Sequence, residues 1–243
     1  MLLNYLEQSY DLGIITIHLY GAFLAVGIII GFFVAQKLAS ERGFNREFLL
    51  EGIVISIFAG IIGARLLSIA LQPQSFLDNP LKIFALHEGG LAAFGGLAGG
   101  IIGAILYTRW KNISFRTMAD IVAPSLALGE AITRLGCDVY GYASPNAPLP
   151  RIIEGIPHHN IPFYTLVATA AIFFLLWKWR FKLTGGSLFL SYLILYGSSR
   201  FLIDYFRGDH VFFSSINLAQ GGSILIAVVA LTFLAWKQLR TEY

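Results

Sequence analysis

Charge is scarce in this chain. Only 13% of its 243 residues are Asp, Glu, Lys or Arg, 56% are hydrophobic, and the mean hydropathy is +0.70. That balance excludes an ordinary soluble domain, in which about a quarter of residues are charged. Cysteine is reduced to Cys137, so an internal disulfide and a multi-cysteine metal site are both excluded. The five histidines, His18, His87, His158, His159 and His210, include one adjacent pair and no HExxH spacing, so neither metal nor cofactor is expected. Long linkers, low-complexity tracts and internal repeats are also missing, and residues 1–243 read as a single transmembrane domain.

What is present is a series of apolar segments, each near the ~20 residues a helix needs to cross hydrocarbon. They run at about Ile14 to Ala35, Phe48 to Leu71, Gly90 to Thr108, Met118 to Leu135, Pro162 to Trp179, Gly186 to Phe206 and Ala219 to Trp236. Strand-like alternation is absent, and backbone groups in lipid must be satisfied within the segment, so the expected fold is all-α with about seven transmembrane helices. Eleven of the 17 basic residues fall in one alternating set of connections, around Lys37 to Arg46, Arg109 to Arg116, Lys178 to Lys182 and Lys237 to Arg240. By the positive-inside rule these are cytoplasmic, which puts the N-terminus outside and the C-terminus inside. The first segment, Met1 to Gly13, has two acids, no basic residue and no cleavage site of a removable signal peptide. The net charge of +3 is accounted for by the same loops and calls for no nucleic acid. The longest outer connections lie at about 72–89 and 136–161, the latter with His158, His159 and Asn160 as a candidate lid or acceptor site.

Three arginines lie inside apolar segments, and each costs at least ~2.5 kcal/mol at the bilayer centre, which marks it as a functional candidate. With the orientation above, Arg65, Arg134 and Arg200 all fall toward the outer leaflet. His18 and Tyr20 enter the same layer from the first segment, and Tyr164 from the fifth. Arg200, Asp204 and Arg207 share one helical face by their i, i+4 and i+3 spacings. Guanidinium groups at headgroup depth suit a phospholipid phosphate, which they hold with paired charge-assisted hydrogen bonds. The alternative is mutual neutralisation with snorkelling. Asp120 and Glu130 leave open a proton path in a transporter, although paired broken segments are lacking. Gly95, Gly99 and Gly103 have the four-residue spacing of close helix packing. Beside Arg134 the Cys137 thiol could act as a nucleophile, with helix-end packing the blander reading.

Read together, these segments resemble the prolipoprotein diacylglyceryl transferase family. HLYG (18–21) is similar to its His-Trp-Tyr-Gly, and GARL (63–66) to its second span. EGGLAAFGGLAGG (88–100), RLGCDVYG (134–141), HHNIPFYT (158–165) and YGSSRFLIDYFR (196–207) resemble four further family motifs in the same order. The resemblance implies transfer of a diacylglyceryl group from phosphatidylglycerol to a cysteine in the signal-peptide region of an exported prolipoprotein, at a bacterial inner membrane. It implies catalytic roles for Arg134, Arg200 and Tyr20, and substrate-binding roles for Arg65, Tyr164, Asp204, Arg207, His18, Gly95, Gly96 and Gly141. The chain departs from the pattern at Phe94 (His or Tyr), Thr133 (Gly), Cys137 (Asn), His158 (Arg) and Thr165 (Glu), and lacks the signature's glutamate, for which Asp138 is a candidate substitute. A relative with another acceptor or donor, or one that only binds phospholipid, is the alternative these departures leave open.

Overall fold

The structure is a computed structural model and describes residues 9–11, 16–77, 83, 92–207 and 218–241. All seven apolar segments form helices: α1 (Leu19–Glu41), α2 (Arg46–Leu71), α4 (Ala93–Trp110), α5 (Phe115–Thr133), α6 (Ile161–Trp179), α7 (Ser187–Asp204) and α8 (Leu218–Thr241). A five-residue α3 (Pro73–Leu77) follows α2. Among the described residues, α1, α2, α6 and α8 are long and apolar enough to cross a membrane. Helices α5 and α7 are more polar because they carry Asp120, Glu130, Arg200 and Asp204.

The fold is all-α as expected, with two short hairpins of three-residue strands beside the helices. Strand β1 (Ser9–Asp11) pairs antiparallel with β2 (Thr16–His18), so the first helix starts at Leu19 rather than near Ile14. Strands β3 (Arg151–Ile153) and β4 (Ile156–His158) pair in the loop before α6. The second turn has two residues, Glu154 at φ 51° and Gly155 at φ 81°. Positive φ at both positions matches the right-handed twist of a tight hairpin, and glycine reaches it without strain.

The chain is organised as two compact units. The first comprises Met1–Lys37 and Ala119–Tyr243. Its most enclosed helix is α5, whose Asp120, Ile121, Ala123 and Ala127 are wholly buried. Small residues let α1 approach it: a Cβ on Gly27 would lie 2.6 Å from the Gly129 carbonyl oxygen. Ala123 and Ala127 continue into a core with Ile172, Leu176, Leu188 and Tyr192. Local chemistry sets the helix starts. Asn160 caps α6 by accepting the Phe163 N–H at 3.2 Å, and Pro162 in the first turn needs no hydrogen-bond partner.

The second unit, Leu38–Met118, is built on α2 and α4. Asn45 caps α2 through the N–H groups of Glu47 and Phe48 at 2.7 and 3.3 Å. The glycine stripe on α4 packs as the spacing predicts, for a Cβ on Gly95 would meet the Gly63 carbonyl and one on Gly99 the Ala59 carbonyl. Large apolar side chains point outward instead, with Phe58 and Leu66 more than 60% exposed. An exterior of this kind is unfavourable in water and favourable in lipid.

Candidate functional site

Two arginine–carboxylate pairs stand out in the first unit. At the end of α5, Glu130 Oε1 accepts from Arg134 Nη2 at 2.6 Å, one helical turn apart. On α7, Asp204 Oδ1 lies 3.1 Å from Arg200 Nη2 and 4.0 Å from Arg207 Nη1. The one-face arrangement predicted for these three residues is therefore present. The Asp204 side chain is fully buried, while Arg200 keeps slight exposure.

Tyr196 connects the two pairs. It is i−4 from Arg200 on α7, and its hydroxyl donates to Glu130 Oε1 at 3.2 Å. Its ring stacks on Tyr192 at 5.6 Å, which fixes it on the inner face of α7. Tyr196 is not among the residues expected from the sequence, and Glu130 enters there only as part of a proton path. The i, i+4 spacings Glu130–Arg134 and Tyr196–Arg200 were the available signals.

Arg134 also faces Cys137, with Nη1 3.7 Å from Sγ. Its Nε is buried and has no hydrogen-bond partner among the described residues. A guanidinium carries five N–H donors, more than Glu130 and Cys137 engage.

Beyond this core, Tyr164 donates to the Pro148 carbonyl at 2.7 Å and lies 3.2 Å from His159 Nδ1. His159 packs between the rings of Tyr142 and Phe206, with centroids 4.7 and 4.8 Å away. Burial lowers its pKa from the ordinary histidine value. Gly141 completes this knot. Its N–H donates to the His159 carbonyl at 2.8 Å, and a Cβ there would strike the Phe206 carbonyl. The loop before α6 is thereby tied to the end of α7 that bears Asp204 and Arg207. Tyr164 also borders an open apolar groove of about 370 Å³ between α6 and α7, with Phe163, Val167, Ser199 and Leu202 along its walls.

Several expectations change. His159 and Asn160 are not an open acceptor site, since one is buried and the other caps α6. Asp120 does not line a proton path: it is fully buried and accepts the N–H groups of Gly186 and Phe189 at the start of α7. At Asp138 it is the backbone carbonyl that is engaged, by Arg151 Nη1 at 2.7 Å. Thr165 is buried and bonds back to the Ile161 carbonyl, as threonines in apolar helices do.

In the second unit, Arg65 is buried, donates from Nε to the Ile83 carbonyl at 3.1 Å and lies over the Phe76 ring at 5.0 Å. Gly95 is occupied by helix packing; Gly96 is less crowded, its nearest neighbour being Ala64 Cβ at 3.5 Å. Phe94 is half exposed, as is Tyr20 in the first unit. The His18 side chain, His87 and His210 lie outside the described residues.

These features define a helical membrane protein with clamped arginines and a neighbouring apolar groove. The family model for prolipoprotein diacylglyceryl transferase matches residues 8–236. The phosphatidylglycerol–prolipoprotein diacylglyceryl transferase of Staphylococcus aureus strain MSSA476 is 30% identical over 255 residues, covering 98% of this chain and 91% of the relative. That of Staphylococcus haemolyticus strain JCSC1435 is 30% identical over 258 residues, covering 99% and 91%. The chain belongs to the prolipoprotein diacylglyceryl transferase family and is a multi-pass membrane protein.

Proposed function

We propose that this protein transfers a diacylglyceryl group from phosphatidylglycerol to the cysteine thiol of a prolipoprotein. The observation that carries the reading is the placement of two arginines on neighbouring helices, each clamped by a carboxylate one turn away, in a chain that matches the family nearly end to end. The acceptor sulfur, as thiolate, attacks the glycerol carbon that bears the phosphate ester. A carbon–sulfur bond forms, the carbon–oxygen bond breaks, and its electron pair leaves on the phosphate of glycerol phosphate. Negative charge thus grows on the phosphate oxygens in the transition state. Arg134 and Arg200, held in place beforehand, stabilise that charge with little reorganisation. They also favour the thiolate form of the acceptor, which is its nucleophilic form.

Asp204 orients Arg200, and Arg207 extends the same positive face. Tyr164 lines the path of the acyl chains along the apolar groove. Tyr20, His18, Arg65, Gly95, Gly96 and Gly141 keep the catalytic or binding roles implied by their motifs, each testable by substitution. The distribution of basic residues supports seven crossings, with the N-terminus outside and the C-terminus in the cytoplasm of a bacterial inner membrane. The acceptor then reaches the site from the exported side, through the signal-peptide region of the prolipoprotein.

The test uses purified protein in phosphatidylglycerol vesicles with a prolipoprotein peptide. The expected result is stoichiometric release of glycerol phosphate with formation of a thioether. Lipid binding without release would replace this reading with that of a phospholipid-binding relative, to which the departures at Phe94 and Thr165 point. Solute flux dependent on Glu130 would instead favour a transporter.

A further inference from the structure

We infer that Glu130 is a positioning residue for Arg134: it and Tyr196 hold the guanidinium between α5 and α7 so that its remaining donors present themselves to the phosphate of the lipid. The inference rests on the transferase reading for the identity of that phosphate.

Geometry carries the argument. Glu130 Oε1 meets Arg134 Nη2 at 2.6 Å and the Tyr196 hydroxyl at 3.2 Å, so one carboxylate oxygen ties the two helices. Both side chains of the ion pair are about four-fifths buried, where an ion pair is screened less than at a surface. The other described partner of Arg134 is the Cys137 sulfur at 3.7 Å, a weak acceptor. Without Glu130 the long side chain would keep that contact alone and lose its defined direction. With Glu130 in place, the Arg134 side chain keeps about a fifth of its surface exposed, so guanidinium donors that Glu130 does not use stay within reach of an anion.

A second role for an acid at this place would be neutralisation of surplus positive charge. The two roles predict opposite effects on the lipid. If Glu130 only neutralises, its removal raises the positive potential and tightens binding of phosphatidylglycerol. If it positions Arg134, removal weakens binding, and glutamine, which keeps an acceptor oxygen but no charge, restores much of it.

The experiment measures phosphatidylglycerol affinity and turnover for wild type, E130A, E130Q, Y196F, R134A and the double variant E130A/R134A, all in nanodiscs of defined lipid composition. The expected outcome is at least a tenfold loss of kcat and several-fold weaker binding in E130A, substantial recovery in E130Q, and no further loss when E130A is added to R134A. Trypsin resistance checks that E130A folds; should it not, E130Q and Y196F carry the comparison, with Y196F weakened in the same direction and less. Unchanged or tighter lipid binding in E130A and E130Q would overturn the inference, as would full additivity of E130A with R134A. If wild type binds phosphatidylglycerol without turnover, the transferase reading fails while the binding data still decide the role of Glu130.

Discussion

Asp120 on α5 caps the start of α7: its two carboxylate oxygens accept the backbone N–H groups of Gly186 at 2.8 Å and Phe189 at 2.9 Å. Gly186, the residue at the N-cap position, has φ 95° and no side chain of its own to do this. Lys237 closes the same turn through the Thr184 and Gly185 carbonyls and the Ser187 hydroxyl. The axial position of the helix that carries Arg200 and Asp204 is therefore set at its far end by an acid from another helix.

Asp120→Ala should destabilise the protein by ~1–3 kcal/mol for each N–H left without a partner. Asp120→Asn, which keeps one acceptor oxygen, should cost about half as much. Thermal unfolding in detergent reads both, and equal melting temperatures for wild type and the alanine variant would disprove the capping role.

Asp204 compensates Arg200 in a site where the acid is fully buried. Removing one partner of such a pair leaves an unpaired buried charge and costs ~3–5 kcal/mol. Asp204→Ala is thus expected to lower both stability and turnover. Arg200→Ala and Arg134→Ala should lower turnover by about two to three orders of magnitude, the usual effect of losing one charge-stabilising donor, while membrane insertion persists. Glycerol phosphate release against the amount of inserted protein separates the two effects.

His159 gives stability a pH dependence of definite sign. Burial lowers its pKa in the folded protein, so between that value and the ordinary ~6.5 the unfolded chain binds more protons. Stability therefore rises with pH through this window and falls as pH drops below ~6.5, by at most ~1.4 kcal/mol per unit for this group. His159→Phe should flatten the acid side of a melting-temperature profile while losing the contact with Tyr164.

Close packing of α2 on α4 is sensitive to single carbon atoms. A side chain on Gly99 would meet the Ala59 carbonyl, and Gly99→Leu should cost at least ~1–3 kcal/mol as the helices part. Gly21 has open space around its missing Cβ, and Gly21→Ala should stay within ~0.5 kcal/mol of wild type. Protease resistance of the two variants compares them directly.

Helix positions were legible because lipid solvation writes them into composition: the segments near Phe48, Pro162 and Ala219 became helices within a few residues of their expected limits. The Arg200–Asp204–Arg207 face was equally readable, since its spacing lies within one helix. The partners that Asp120 and Glu130 take on α7 could not be read from spacing, because Gly186 and Tyr196 each lie 66 residues away. Likewise Asn160 and His159 stood out as polar residues in a loop, but a cap and a buried aromatic knot can be recognised only from what surrounds them.

The amino-acid sequence alone thus determined the helical class, the extent of the apolar segments and the residues able to carry positive charge at one end of them. These follow from local terms, namely hydropathy, spacing and backbone hydrogen bonding within a helix. Tertiary structure decided which acid holds which arginine, that Tyr196 joins the two pairs, and that Asp120 is a cap. Those depend on distances between segments remote along the chain, and a carboxylate has the same chemistry as a cap, a clamp or a proton carrier until its neighbours are in place.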